Sequence, residues 1–227
     1  MRYLKAAIIA VLLSSFAQGQ TYELGLYAGG ANFIGDVGAT DFISPNTPAI
    51  GLLAKWNRSS RHSFRFSVIL TELEANDSKS SESRRQSRDL YFENNIKEVS
   101  LGLEYTFWDF DLFKDTNPST PYLYSGLTYF GHNEFALSGD QLIKTGSSGS
   151  IAIPMVIGYK LAVNRSFIVA LELGARYTFT DNLDGSAPED DPNGNLAFGN
   201  LNNNDWYMFT GITVTYTFGR KPCFCAF

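Results

Sequence analysis

The 227-residue chain has two histidines and two cysteines, and only 18% of its residues are charged. Each scarcity removes a class of protein. Cys223 and Cys225 both lie in the last five residues, so no disulfide framework can cross the chain. Neither His62 nor His132 stands near an obvious serine nucleophile with a third orienting acid, and the chain reads as non-enzymatic, with no cofactor expected. Positive charge is also in short supply. With 18 Lys and Arg against 23 Asp and Glu the net charge is -5, the wrong sign for a phosphate backbone, so nucleic acid is excluded as a partner. Outside the N-terminus no uncharged apolar run reaches the length of a transmembrane helix. What the chain does have is aromatic residues, 15% of the total, and many β-branched ones, which excludes disorder. Many aromatics, a mean hydropathy of -0.12 and no long apolar run together suit an outer-membrane β-barrel.

The N-terminus gives the route. Arg2 and Lys5 precede a short apolar stretch, Ala6 to Phe16, and Ala17-Gln18-Gly19 matches a small-x-small cleavage site. Residues 1–19 therefore read as a secretory signal peptide, 20–219 as the barrel and 220–227 as a short tail. Losing Arg2 and Lys5 takes the mature charge to -7. No cysteine follows the apolar stretch, so lipoprotein processing is not indicated.

Eight later stretches alternate apolar and polar residues: Thr21–Phe33, Pro48–Asn57, His62–Leu73, Asn95–Trp108, Pro121–His132, Ser150–Ala162, Ser166–Phe179 and Asp205–Phe218. Period 2 places each apolar set on one face of a sheet. In the fourth, Val99, Leu101, Leu103, Tyr105 and Phe107 oppose Glu98, Ser100, Gly102, Glu104 and Thr106. The fifth is ambiguous, with aromatics on both faces. The polar faces are rich in Gly, Ser and Thr, and Tyr22, Trp56, Phe107, Tyr159, Tyr177, Trp206 and Phe218 fall where interfacial girdles belong. The fold expected is all-β: an eight-stranded antiparallel up-and-down transmembrane barrel with its apolar face toward lipid. A soluble lipocalin-like or sandwich fold is the competing reading.

Connections alternate in length. Arg58–Arg61, Asp109–Thr120 and Val163–Arg165 are the shorter set; Ile34–Thr47, Glu74–Asn94, Asn133–Gly149 and Thr180–Asn204 are the longer. Short turns face the periplasm in such barrels, so both termini are expected there, in a cell outer membrane. Eight strands leave room inside for side chains only. The inward positions include Glu23, Lys55, Arg65, Glu98, Glu104, Lys160, Glu172 and Arg176, four acids and four bases, and buried charge must be paired. The expectation is an internal ion-pair network that plugs the barrel.

Three further features carry possible chemistry. Asp181, Asp184, Glu189, Asp190 and Asp191 offer oxygen ligands to Ca²⁺, but the spacing is not that of an EF-hand, and the loop reads first as a solvated acidic turn, with no metal expected. The run from Arg84 to Arg88 reads either as a contact for an anionic lipid or acidic partner, or as a strand overhang of mixed charge. The Cys-x-Cys tail reads either as a partner-linked site in an oxidising compartment or as a local bridge or idle thiols.

Several segments taken in order resemble one family: Glu23-Leu24-Gly25 leading to Gly29-Gly30-Ala31-Asn32-Phe33-Ile34-Gly35-Asp36; Asn76-Asp77-Ser78 followed by Arg85, Arg88 and Leu90-Tyr91-Phe92; Asn95-Ile96-Lys97-Glu98 before Glu104; Pro121-Tyr122-Leu123; Leu171 to Arg176; Thr178 to Asp184; and the tail from Gly219 to Cys225. This order is similar to that of the PorG family, the outer-membrane barrels of the type IX secretion system in Bacteroidetes. The resemblance implies an anchor that joins the periplasmic ring of the PorK lipoprotein and PorN to the outer membrane, in service of secretion and, in gliding species, motility. The contact would then fall on the periplasmic parts, with Arg58, Ser59, Ser60, Arg61, Asp111, Lys114, Arg220, Lys221, Cys223 and Cys225 as its residues. The competing functions are a small barrel that binds ligands, host surfaces or lipid through its outer loops, and a lipid-modifying enzyme.

Overall fold

The computed structural model describes residues 21–113, 117–138, 141–186, 197–198, 200 and 203–219. The signal-peptide reading, Lys114, the acids Glu189 to Asp191 and the tail from Arg220 onward lie outside these residues. Eight antiparallel strands close into one barrel in simple sequence order: β1 (Thr21–Ile34), β2 (Thr47–Asn57), β3 (His62–Asn76), β4 (Tyr91–Thr106), β5 (Ser119–Ser138), β6 (Gln141–Ala162), β7 (Phe167–Thr178) and β8 (Trp206–Gly219). β1 pairs with β2 on one side and β8 on the other, from Thr21↔Gly219 to Ile34↔Trp206, so no sheet edge is left at the closure. Among the described residues no helix is long and apolar enough to cross a membrane.

The alternation in the sequence becomes an inside and an outside. Odd residues of β1, β2, β3 and β8 and even residues of β4 to β7 point inward and are mostly buried. The outward set is an exposed apolar band in which Leu26 is 62% and Leu171 61% accessible. An apolar surface of that extent has no counterpart on a water-soluble barrel, and it matches the lipid-facing band of a transmembrane one. Aromatic pairs rim the band at both ends: Tyr22 with Phe218 (6.0 Å) and Trp56 with Phe64 (5.4 Å) at one, Tyr177 with Trp206 (5.0 Å) at the other. The ambiguous fifth strand resolves cleanly, with Tyr122, Tyr124 and Phe130 inside and Leu123, Leu127 and Tyr129 outside.

The two ends differ. At the turn end, side chains replace missing ladder partners. Ser59 Oγ accepts the N–H of His62 (3.0 Å), and Asn164 Oδ1 accepts those of Ser166 (2.8 Å) and Phe167 (2.9 Å), the local caps that Ser and Asn provide in tight turns. At the loop end two expectations are corrected. Asn133–Gly149 is not a loop but the upper part of a hairpin, whose ladder continues to Ser138↔Gln141. Its Gly, Ser and Thr residues carry no apolar alternation because this stretch stands beyond the last β6–β7 pair, Ala152↔Thr178, and has no lipid face to satisfy. The other long loops do not simply cover the surface. Val37, Leu90 and Leu183 turn inward and pack with Phe33, Leu73 and Phe92 into an apolar core within the loop-end half of the barrel. Between β3 and β4 the chain forms a 3₁₀ turn (Asp77–Lys79) and a short helix, α1 (Ser83–Arg88).

Candidate functional site

The barrel interior was expected to hold eight charges, and the structure places all eight inside, none more than 6% accessible. Seven of them form two groups, and Glu23 stands apart. Toward the turn end, Glu104 receives Lys55 Nζ and Lys160 Nζ, each at 2.7 Å. Arg65 forks onto Glu172 with Nη1 to Oε1 at 2.7 Å and Nη2 to Oε2 at 3.0 Å, and lies 4.0 Å from Glu104. The Tyr122 hydroxyl also donates to Glu172. Midway, Arg176 Nη2 meets Glu98 Oε1 at 2.9 Å, and Tyr207 donates to Glu98 Oε2 at 2.8 Å. Glu23 accepts from Asn57 (2.7 Å) and Thr215 (2.9 Å). The guanidiniums of Arg65 and Arg176 also lie over the rings of Tyr124 (4.7 Å) and Phe209 (4.8 Å). Tyr122 lies against Gly158, where an added Cβ would stand 2.4 Å from its Cζ. Rings and ion pairs together fill the cross-section, so the working surfaces are the two ends.

At the turn end, Arg58, Ser59, Ser60 and Arg61 form the β2–β3 turn and meet the β4–β5 connection. Arg61 Nε donates to Asp109 Oδ1 at 2.8 Å, and the Ser60 carbonyl accepts the N–H of Phe110 at 3.0 Å. Phe110 lies under the ammonium of Lys160 (4.6 Å), while Leu112 packs on Ala162 and Ile168. Asp111 caps this segment by accepting the N–H of Phe113 at 2.9 Å. The segment Phe110–Phe113 therefore folds across the barrel mouth. The sequence marked Asp111 as a contact residue; the bond to Phe113 is its role within the chain.

At the loop end, motifs far apart in sequence converge on one cap. Asp77, fully buried, accepts the N–H groups of Gly38 (2.8 Å) and Leu90 (3.2 Å) and pairs with Arg88 Nε at 2.7 Å. Gly38 sits at φ +87° beneath Ala75, a place only glycine takes easily. Arg88 also donates to the Asp36 carbonyl (2.7 Å), and Arg85 Nη1 to those of Gly35 (2.9 Å) and Gly38 (3.0 Å). Arg85 and Arg88 are thus internal clamps on a helix, and the reading of this run as a strand overhang is corrected. Asp184, expected in a solvated turn, is fully buried. It accepts the N–H groups of Asp36 (2.9 Å), Val37 (3.0 Å) and Ser186 (3.0 Å).

Beside this cap a cleft of about 600 Å³ opens between Asp36, Asp181, Asp205, Arg85, Tyr177 and Trp206. Burial and the neighbouring Asp184 and Asp36 push the Asp181 carboxyl up to about 7. Burial and the charges of Asp184, Asp181 and Asp36 push Asp205 well above the usual carboxylate range. Sequence reading gave Asp36 and Asp205 no part in a site, because each lies beside a strand end as a single acid with no local pattern of acids. His62 stands exposed at the turn end and His132 buried in the loop-end half, so they share no site.

A closed antiparallel barrel with an apolar outside, a paired charged interior and aromatic rims is a small outer-membrane β-barrel. Residues 2–227 match the family described as Domain of unknown function (DUF6089), and the chain belongs to that family. No curated protein matches it in sequence. Among solved structures it is similar to Ail, the attachment invasion locus protein of Yersinia pestis, in complex with the heparin analogue sucrose octasulfate (10% identity, 88% of this chain and 99% of that one, TM-score 0.47). It is also similar to Neisserial surface protein A (14%, 88% and 95%, 0.44) and to OprG of Pseudomonas aeruginosa (10%, 89% and 97%, 0.43).

Proposed function

We infer that the protein is an outer-membrane anchor of the type IX secretion system, joining the periplasmic PorK and PorN ring to the membrane. The observation that carries this reading is the filled interior. A barrel whose cross-section is taken up by Glu104, Glu172, Glu98 and their cations is no conduit, so its work falls on its ends. The ordered motifs that resemble the PorG family supply the identity of the partner. In this reading the turn end and both termini are periplasmic, and Arg58 to Arg61, the Asp109–Phe113 segment and the Cys-x-Cys tail face the ring. Affinity purification from gently solubilised outer membrane is expected to recover PorK and PorN. Removing residues 220–227 together with replacing Arg58 and Arg61 is expected to release them. Unchanged co-purification would overturn the assignment of the contact, and absence of both proteins from the intact barrel would overturn the function. A second reading, a barrel that binds ligands through its outer loops, is favoured by the cleft at the loop end; it leaves type IX export intact when the gene is deleted.

A further inference from the structure

The loop-end cleft holds an electrostatic debt that no described side chain settles. Asp205 is 1% accessible. Its Oδ2 accepts the N–H of Leu183 at 2.9 Å, but its Oδ1 is buried with no hydrogen-bond partner among the described residues. That oxygen faces Gly35, another residue of the cleft wall, so closely that a Cβ there would lie 2.3 Å from it. Asp181 Oδ2 is likewise buried and unpartnered, as is Oδ1 of the adjoining Asn182, which is 3% accessible. A buried carboxylate oxygen without a donor is destabilising, and like charges gathered in one place add to it. Two things relieve such a cluster: protons or a cation. Arg85, the cation on the cleft wall, has Nη1 committed to the carbonyls of Gly35 and Gly38, and its Nε lies 3.5 Å from Glu82.

We propose that this cleft binds Ca²⁺, with Asp205 Oδ1 and Asp181 Oδ2 as its two charged ligands. The donor chemistry selects the ion. The residues lining the cleft carry carboxylate and amide oxygens, Asp36, Asn203 and Asn204 among them, with no thiolate or imidazole, which suits a hard cation and not Zn²⁺ or Cu²⁺. Among the described residues no three carboxylates, thiolates or imidazoles form a ready-made metal cage. With only two carboxylates, completed by neutral oxygens and water, the proposed site belongs to the weak class of calcium sites, with dissociation constants on the order of 10⁻⁴–10⁻³ M. Asp184 is not a ligand, since the N–H groups of Asp36, Val37 and Ser186 already occupy both its oxygens. The proposal is independent of the secretion-system reading.

The cleft carries its own reporter. Tyr177 and Trp206 line it, so Tb³⁺, an oxygen-seeking ion close to Ca²⁺ in size, should luminesce there when the rings are excited. With the folded full-length barrel in detergent micelles, a saturable Tb³⁺ signal is expected, displaced by Ca²⁺ at lower concentration than by Mg²⁺. Asp205→Asn and Asp181→Asn should each weaken Tb³⁺ and Ca²⁺ binding roughly 10- to 100-fold, with the heat-modifiable gel mobility of the folded barrel unchanged. If Asp205→Asn does not fold, Asp181→Asn, at a half-buried position, decides the matter alone. No saturable signal, or a signal that the folded variants leave unaltered, overturns the site. Displacement by Mg²⁺ as effective as by Ca²⁺ overturns its selectivity.

Discussion

Glu104 is the residue on which the lower half of the interior turns. Two lysines meet it at 2.7 Å and Arg65 lies at 4.0 Å, all within a space that water does not reach. Replacing it by glutamine leaves three cations facing Glu172 alone. Breaking a buried pair in this way costs about 3–5 kcal/mol. Glu104→Gln is therefore expected to lower the urea midpoint of the barrel in lipid vesicles, read by tryptophan fluorescence. Adding Lys55→Met should restore part of the loss, because it removes one of the stranded charges. Losses that simply add would show that the lysine and the glutamate do not act on each other. The inward position of Glu104 was legible in the sequence from period 2 alone. Its partners were not: Lys160 lies 56 residues away, and only the register of β4, β5 and β6 brings the two together.

At the scale of elements, the strands and the loops obey different rules. Strands declare themselves through alternation because each has one face toward lipid and one toward the interior. The loop-end cap has no such period; the sequence predicts outward loops with a solvated acidic turn at Asp184, whereas Asp184 is buried together with Val37, Leu90 and Leu183. What organises it is a set of acids that accept backbone N–H groups across long separations, Asp184 to Val37 over 147 residues and Asp77 to Gly38 over 39. Asp77→Ala should release Arg88 and the N–H groups of Gly38 and Leu90, at a cost of roughly 2–3 kcal/mol confined to the cap. Tryptic cleavage after Arg84, Arg85 or Arg88 and hydrogen exchange in residues 34–47 should rise, while exchange in β4 to β8 stays as it was. Exchange that rises equally in the strands would mean that cap and barrel unfold as one unit.

At the scale of the molecule, the filled interior makes a prediction of its own. The purified barrel, inserted in planar bilayers, is expected to pass no steady current above that of the lipid. An ohmic current that grows with the number of inserted barrels would contradict the plug formed by the paired charges, Tyr122 and Phe130. By itself, the amino-acid sequence determined the number of strands, the inward and outward faces of all but the fifth, and the eight buried charges. All of these follow from a two-residue period set against lipid on one side, a rule that acts locally along each strand. Only the tertiary structure decided which acid meets which base, that the loops fold inward as an apolar and acidic cap, and that Asp181 and Asp205 share a cleft. Those outcomes depend on barrel closure, which fixes the register of all eight strands together and sets side by side residues that have no relation along the chain.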